Sequence, residues 1–241
     1  MDTLHLVLLP GLDGTGILYD PFLEALPPTL RPHVVAYPPD QCLGYSELLP
    51  LIMEALPREG DFVLLGESFS GPLALLAAAR RPPSLRAVVL CASFIGKPVR
   101  FVPRCAHNWV RPFLFRHFPP FALFRALFGG YPAQPLRQLI AKARSMVAPS
   151  VLACRVRAVL DVDVSEELRA CPVPILYLAG ARDRVVPRWN LRAIQAVRPD
   201  VQSITLPAPH LVLQTRPIEA AQAIADFLAS LCPGRSAGVP R

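Results

Sequence analysis

The sequence predicts an α/β fold: a doubly wound, mostly parallel sheet of six strands with a helical insertion. Three observations carry that expectation. Short apolar runs recur along the chain, each followed by a turn and most of them by a longer helical pattern. The runs are continuous rather than alternating, as suits strands buried on both faces of a parallel sheet. The chain has 241 residues, 52% apolar and 18% charged, which is enough for one packed α/β domain and too little for two comfortable ones.

The elements follow in order. LHLVLL at 4–9 is the first strand, and helical text runs over 19–26. HVVAY at 33–37 is the second strand, ahead of a helix over 45–56. FVLL at 62–65 precedes the alanine- and leucine-rich helix 72–81, and AVVLC at 87–91 is the fourth strand. ILYL at 175–178 with a helix at 190–197, then VQSITL at 201–206 with a helix at 218–231, complete the alternation. Between the fourth and fifth strands the rhythm breaks. Residues 94–160 carry little strand signal, and NWVRPFLFRHFPPFALFRALFGG at 108–130 is aromatic, arginine-rich helical text. An insertion of this kind reads as a helical cap or lid, leaving 1–93 and 161–241 as the core. The terminal GRSAGVPR reads as a disordered tail.

Composition excludes several functions. The formal charge is +7, but the arginines are spread from Arg31 to Arg241, densest between Arg100 and Arg125. A nucleic-acid binder concentrates its cations on a stripe or tail, so no nucleic-acid partner is expected. The six cysteines form no CxxC pair, and neither a metal nor another cofactor is expected. Cys91 ends an apolar run and reads as a buried thiol. MDTLHLVLLPG has no positive flank, and its apolar stretch is short for a signal peptide. No run of 18 apolar residues exists. A cytoplasmic protein is the expectation.

Chemistry concentrates in LLGESFSGPLALLAAAR at 64–80, where a serine sits between an apolar strand and an apolar helix. A nucleophile held on a sharp elbow needs small residues two positions either side, because strand and helix backbones cross there. Gly66 fills the upstream place; Ser70 stands downstream where glycine is usual, with Gly71 next and Pro72 suited to a first helical turn. Ser68 then needs a base and the base an orienting carboxylate. His210, in LPAPHLVLQTRP, follows the last apolar run, whereas His107 and His117 lie in the insertion. Asp183, in ILYLAGARDRVVP, follows the preceding strand, whereas Asp161 and Asp163 lie before it. The glycine-rich LLPGLDGTG at 8–16 lacks the GxxxxGK[ST] pattern of a phosphate cradle. It suits backbone donors facing a reacting carbonyl, with Leu12 and Phe69 supplying one N–H each. A carboxylate aimed at such donors would oppose them, so Asp13 is expected to turn away and bond loop amides.

With LLPGLDGTG, LLGESFSGPLAL, YLAGARDRVVP and PHLVLQTRP in that order, the chain resembles an α/β-hydrolase over nearly its whole length. It looks like the small bacterial serine carboxylesterases, and more distantly like plant plastid acyltransferases. The resemblance implies Ser68 as nucleophile, Asp183 as acid, His210 as base, and the amides of Leu12 and Phe69 as oxyanion donors. Two positions depart from the pattern: Ser70 replaces a glycine, and Pro10 stands where a histidine is often found. Family members usually begin with a two-strand hairpin, so the expected sheet is a trimmed one in the order 2-1-3-4-5-6. Residues 33–37 would be its edge, a place for a homodimer contact. The implied reaction is hydrolysis of a small-molecule carboxylic ester with a short to medium acyl chain, through an acyl-enzyme. Asp13, Phe94 and Val185 are expected to line the pocket, and Phe113, Phe115, Phe118, Phe121, Phe124 and Phe128 offer further apolar walls. An acyltransferase, thioesterase or lactonase would use the same residues, and a non-catalytic ligand binder would not need all three.

Overall fold

The computed structural model describes residues 4–99, 101–117, 127 and 134–231. Phe118, Phe121, Phe124, Phe128 and the terminal GRSAGVPR lie outside them. Six parallel strands form the sheet: β1 (Leu4–Leu9), β2 (Leu30–Val34), β3 (Phe62–Glu67), β4 (Leu85–Cys91), β5 (Ile175–Gly180) and β6 (Gln202–Leu206). Their spatial order is β2-β1-β3-β4-β5-β6, as the sequence predicts.

The second strand begins and ends earlier than expected, pairing Leu4↔Leu30 through Leu8↔Val34. Only Leu30 of the five is buried, because an edge strand has one neighbour and a partly solvated surface. Apolar content therefore marked the wrong segment. Val35 and Tyr37 are buried for a different reason: past the strand the chain turns over the loop that follows β1, with Tyr37 N donating to Gly14 O at 2.8 Å. Exposed Arg31, Pro32 and His33 give the edge charge and a residue without an N–H.

Helices cover both faces. On one, α2 (Tyr45–Ala55), α3 (Gly71–Ala79), α7 (Ser165–Ala170) and α8 (Trp189–Val197) pack Leu48, Ile52, Leu73, Leu168 and Ile194 against the sheet. On the other, α1 (Asp20–Glu24), α9 (Val212–Thr215) and α10 (Pro217–Ser230) bring Phe22, Leu213, Ile224 and Phe227. Between β4 and β5 lie α4 (Pro112–His117), α5 (Gln134–Ser145) and α6 (Pro149–Asp161). A disulfide between Cys42 and Cys154, 112 residues apart, ties α6 to the loop after β2. No spacing rule links cysteines so distant, so nothing local in the sequence marks the pair. Among the described residues no helix is long and apolar enough to cross a membrane.

Candidate active site

The strand-to-helix junction after β3 is as tight as its residues suggest. A side chain at position 66 would place Cβ 2.4 Å from Ser70 O, and one at position 71 would meet Ser93 Oγ at 1.8 Å. Between these glycines Ser68 takes a left-handed backbone (φ 49°), a conformation costing a non-glycine residue about 1–3 kcal/mol. A 3-10 turn over Ser68–Ser70 leads directly into α3. Ser93 Oγ donates to Ser68 O at 2.6 Å, tying the junction to the end of β4.

Ser68, His210 and Asp183 come together from three loops at the C-terminal ends of β3, β6 and β5. His210 Nε2 lies 2.9 Å from Ser68 Oγ, and its Nδ1 lies 2.8 Å from Asp183 Oδ2. The other carboxylate oxygen, Oδ1, accepts from Val185 N at 2.8 Å and Val186 N at 2.9 Å. That leaves Oδ2 fixed for the imidazole. With Nδ1–H donating to Asp183, Nε2 is left to accept from the serine hydroxyl. The His210 and Asp183 side chains are only 5% and 4% exposed. Burial opposes a charge on His210, yet the Asp183 carboxylate, its hydrogen bond and Glu67 outweigh it and raise the imidazole pKa. The rival pair is elsewhere: His107 Nδ1 bonds Asp161 Oδ2 at 2.6 Å on an exposed surface. Asp163 accepts from Ser165 at the start of α7.

Gly11, Leu12 and Asp13, from the loop after β1, share a cavity with Ser68, Phe69 and His210. Asp13 Oδ1 accepts from Thr15 N at 2.9 Å and Thr15 Oγ1 at 2.5 Å, within its own loop. Phe94 and Val185 also line this cavity, which measures about 560 Å³. Its remaining wall comes largely from the insertion, through apolar side chains such as Val102, Val110, Phe115, Ile140 and Leu152. Phe113, by contrast, is 61% exposed. Among the described residues no three His, Cys, Asp or Glu side chains are grouped to hold a metal ion.

Four features escaped the sequence reading. Glu67, the residue before the serine, is buried, and burial raises its pKa to about 7. Gln214 Nε2 donates to its Oε1 at 2.8 Å. Ser70 donates to Pro10 O and shares a 2.7 Å hydrogen bond with Tyr37 OH. Arg155 is wholly buried against the loop after β1. Only Glu67 could have been suspected beforehand, as a charge at the end of an apolar strand run.

Comparison with known proteins agrees with this architecture. Residues 6–223 match the model of the alpha/beta hydrolase family. The pimeloyl-[acyl-carrier protein] methyl ester esterase of Xanthomonas oryzae is 28% identical over 251 residues, covering 94% of this chain and 95% of that one. Among solved structures, an esterase from Exiguobacterium antarcticum superposes with a TM-score of 0.80 at 14% identity, over 93% of this chain and 91% of that one. The enol-lactonase from Burkholderia xenovorans reaches 0.75 at 20% identity, over 95% and 92%. At such identities the two structures speak for the fold alone.

Proposed function

This chain belongs to the alpha/beta hydrolase family, and from that premise we propose that it is a serine hydrolase of carboxylic esters. Ser68 is the nucleophile, His210 the base, Asp183 the orienting acid, and the amides of Leu12 and Phe69 hold the oxyanion. The observation that carries the reading is the chain of contacts from Ser68 Oγ through His210 to Asp183, 2.9 and 2.8 Å long, at the wall of an apolar cavity. His210 Nε2 takes the hydroxyl proton as Ser68 Oγ bonds to the ester carbonyl carbon. The carbonyl oxygen becomes an anion, for which each backbone donor is worth about 3 kcal/mol. Collapse expels the alcohol, which receives the proton from His210, and water repeats the sequence on the acyl-enzyme. Residues 94–160 act as the cap. Its walls favour short to medium acyl chains, because the side chains it lends to the cavity are apolar apart from Arg144.

The test is hydrolysis of p-nitrophenyl esters of rising acyl length by the parent and by Ser68→Ala. Turnover by the parent and loss in the variant are expected; equal rates in both would refute the reading.

A second reading is favoured by one observation. Residues 94–160 hold eleven lysines and arginines and no aspartate or glutamate, whereas the rest of the chain has fourteen bases against eighteen acids. The +7 net charge is therefore not evenly dispersed. Such an excess of cations, the buried Arg155 apart, suits an acyl ester presented on an acidic carrier protein, in keeping with the names of the curated relatives. In that case kcat/KM for the carrier-borne ester falls steeply with added salt while that for a free ester does not.

A further inference from the structure

A loop that stabilises an oxyanion must keep its own carbonyl oxygens off the anion. After β1, five consecutive carbonyls each have a named donor. Pro10 O accepts from Ser70 Oγ. Gly11 O accepts from Gly14 N at 3.0 Å. Leu12 O and Asp13 O both accept from Arg155 Nη1, at 3.0 and 2.7 Å. Gly14 O accepts from Tyr37 N at 2.8 Å. A trans peptide sets the Leu12 N–H antiparallel to the Gly11 C=O, so the turn closed by Gly14 N fixes where that N–H points. The turn is held at one end by Ser70 and at the other by Arg155.

Arg155 is unusual for a buried cation. Its side chain is fully buried, yet its hydrogen-bond partners among the described residues are all neutral carbonyls, Nη2 reaching Pro38 O at 3.0 Å. Its guanidinium carbon lies 5.5 Å from the centre of the Tyr37 ring, and Nε has no hydrogen-bond partner. A cation so placed is costly for packing alone. A flat fork that can grip three carbonyls from two loops is something lysine cannot reproduce. Gly14 closes against it: a Cβ there would sit 2.5 Å from Nη1. Arg155 belongs to α6, and its neighbour Cys154 is bonded to Cys42, four residues beyond Pro38.

We infer that Arg155 is a positioning residue, by which the inserted helix α6, clamped by the Cys42–Cys154 disulfide, holds the Leu12 amide in place for the oxyanion. The inference rests on the nucleophile assigned above, and it gives Ser70 a matching part at the other end of the turn.

The experiment measures the second-order rate at which a fluorophosphonate labels the folded protein. In that step Ser68 Oγ bonds to phosphorus, fluoride leaves, and His210 receives the hydroxyl proton, while the phosphoryl oxygen sits where the oxyanion would. Arg155→Met should label about a hundredfold more slowly than the parent, and Arg155→Lys should recover part of that loss. On a p-nitrophenyl ester, kcat should fall with KM within about twofold, since the lost interaction belongs to the transition state. A well-folded Arg155→Met with the parent's labelling rate, or one that raises KM and leaves kcat, overturns the inference. Should Arg155→Met not fold, Ser70→Ala decides, because it frees Pro10 O without emptying a large volume: a fall in kcat supports the held loop and an unchanged kcat overturns it. A parent that resists labelling, or a Ser68→Ala variant labelled equally fast, removes the nucleophile assignment instead.

Discussion

Replacing Glu67 by glutamine should stabilise the protein above neutral pH and change little in acid. The side chain is buried beside the site, and burial raises its pKa from 4.5 to about 7, against the pull of Gln214 and His210. A carboxyl whose folded pKa is raised keeps its full contribution to stability below about pH 4.5. It loses that contribution as pH rises through 7, because the unfolded chain releases the proton more readily. At about 1.4 kcal/mol per unit, ionised Glu67 costs about 3 kcal/mol at pH 8.5. Glutamine cannot ionise. Its amide can donate to Gln214 Oε1, a buried acceptor otherwise without a partner, as the protonated carboxyl can in acid and the carboxylate cannot. Urea unfolding at pH 4.5 and 8.5 measures the difference. The variant should match the parent at the lower pH and exceed it by about 3 kcal/mol at the higher. A variant no more stable than the parent at pH 8.5 would refute the account of a strained, ionisable Glu67. The same substitution removes one of the charges that raise the His210 pKa, so the acidic limb of kcat/KM should move to lower pH.

Two further outcomes follow from the same geometry. Asp183→Asn keeps the contacts to Val185 and Val186 but loses the carboxylate that orients His210, so kcat should drop by about 10⁴ with an unchanged circular dichroism spectrum. If most activity survives, the acid has been misassigned. Reducing Cys42–Cys154, which joins residues 112 apart, should lower unfolding stability by about 2–5 kcal/mol. An unfolding midpoint in denaturant that ignores reductant would show that the bond does not constrain the chain.

How much of this was legible beforehand follows from which interactions leave a local trace. Strands β1, β3, β4 and β5 are buried on both faces, and their apolar runs announce them. Edge strands announce themselves less evenly: β6 falls where VQSITL predicts it despite an exposed pattern over Gln202–Leu206, whereas β2 begins three residues ahead of the apolar run at 33–37. Ser68, Asp183 and His210 stand in loops after recognisable strands, so order alone brought them forward. What supports them was silent. Arg155 reads like any arginine of a basic helix, and its burial depends on carbonyls 117 to 143 residues away. Ser70 looked like a defect in a glycine pattern. In the fold its hydroxyl reaches Pro10 O, sixty positions away, and a glycine there would leave that carbonyl without this donor. Charge also misled when it was read along the chain as a whole, because the excess of cations over acids lies within 94–160.

The most direct measurement is the intact mass of the protein after brief exposure to a fluorophosphonate, with the modified peptide then located. The account predicts one adduct per chain, carried by Ser68 and absent from Ser68→Ala. An adduct on another residue, or none on a folded and intact parent, would contradict it.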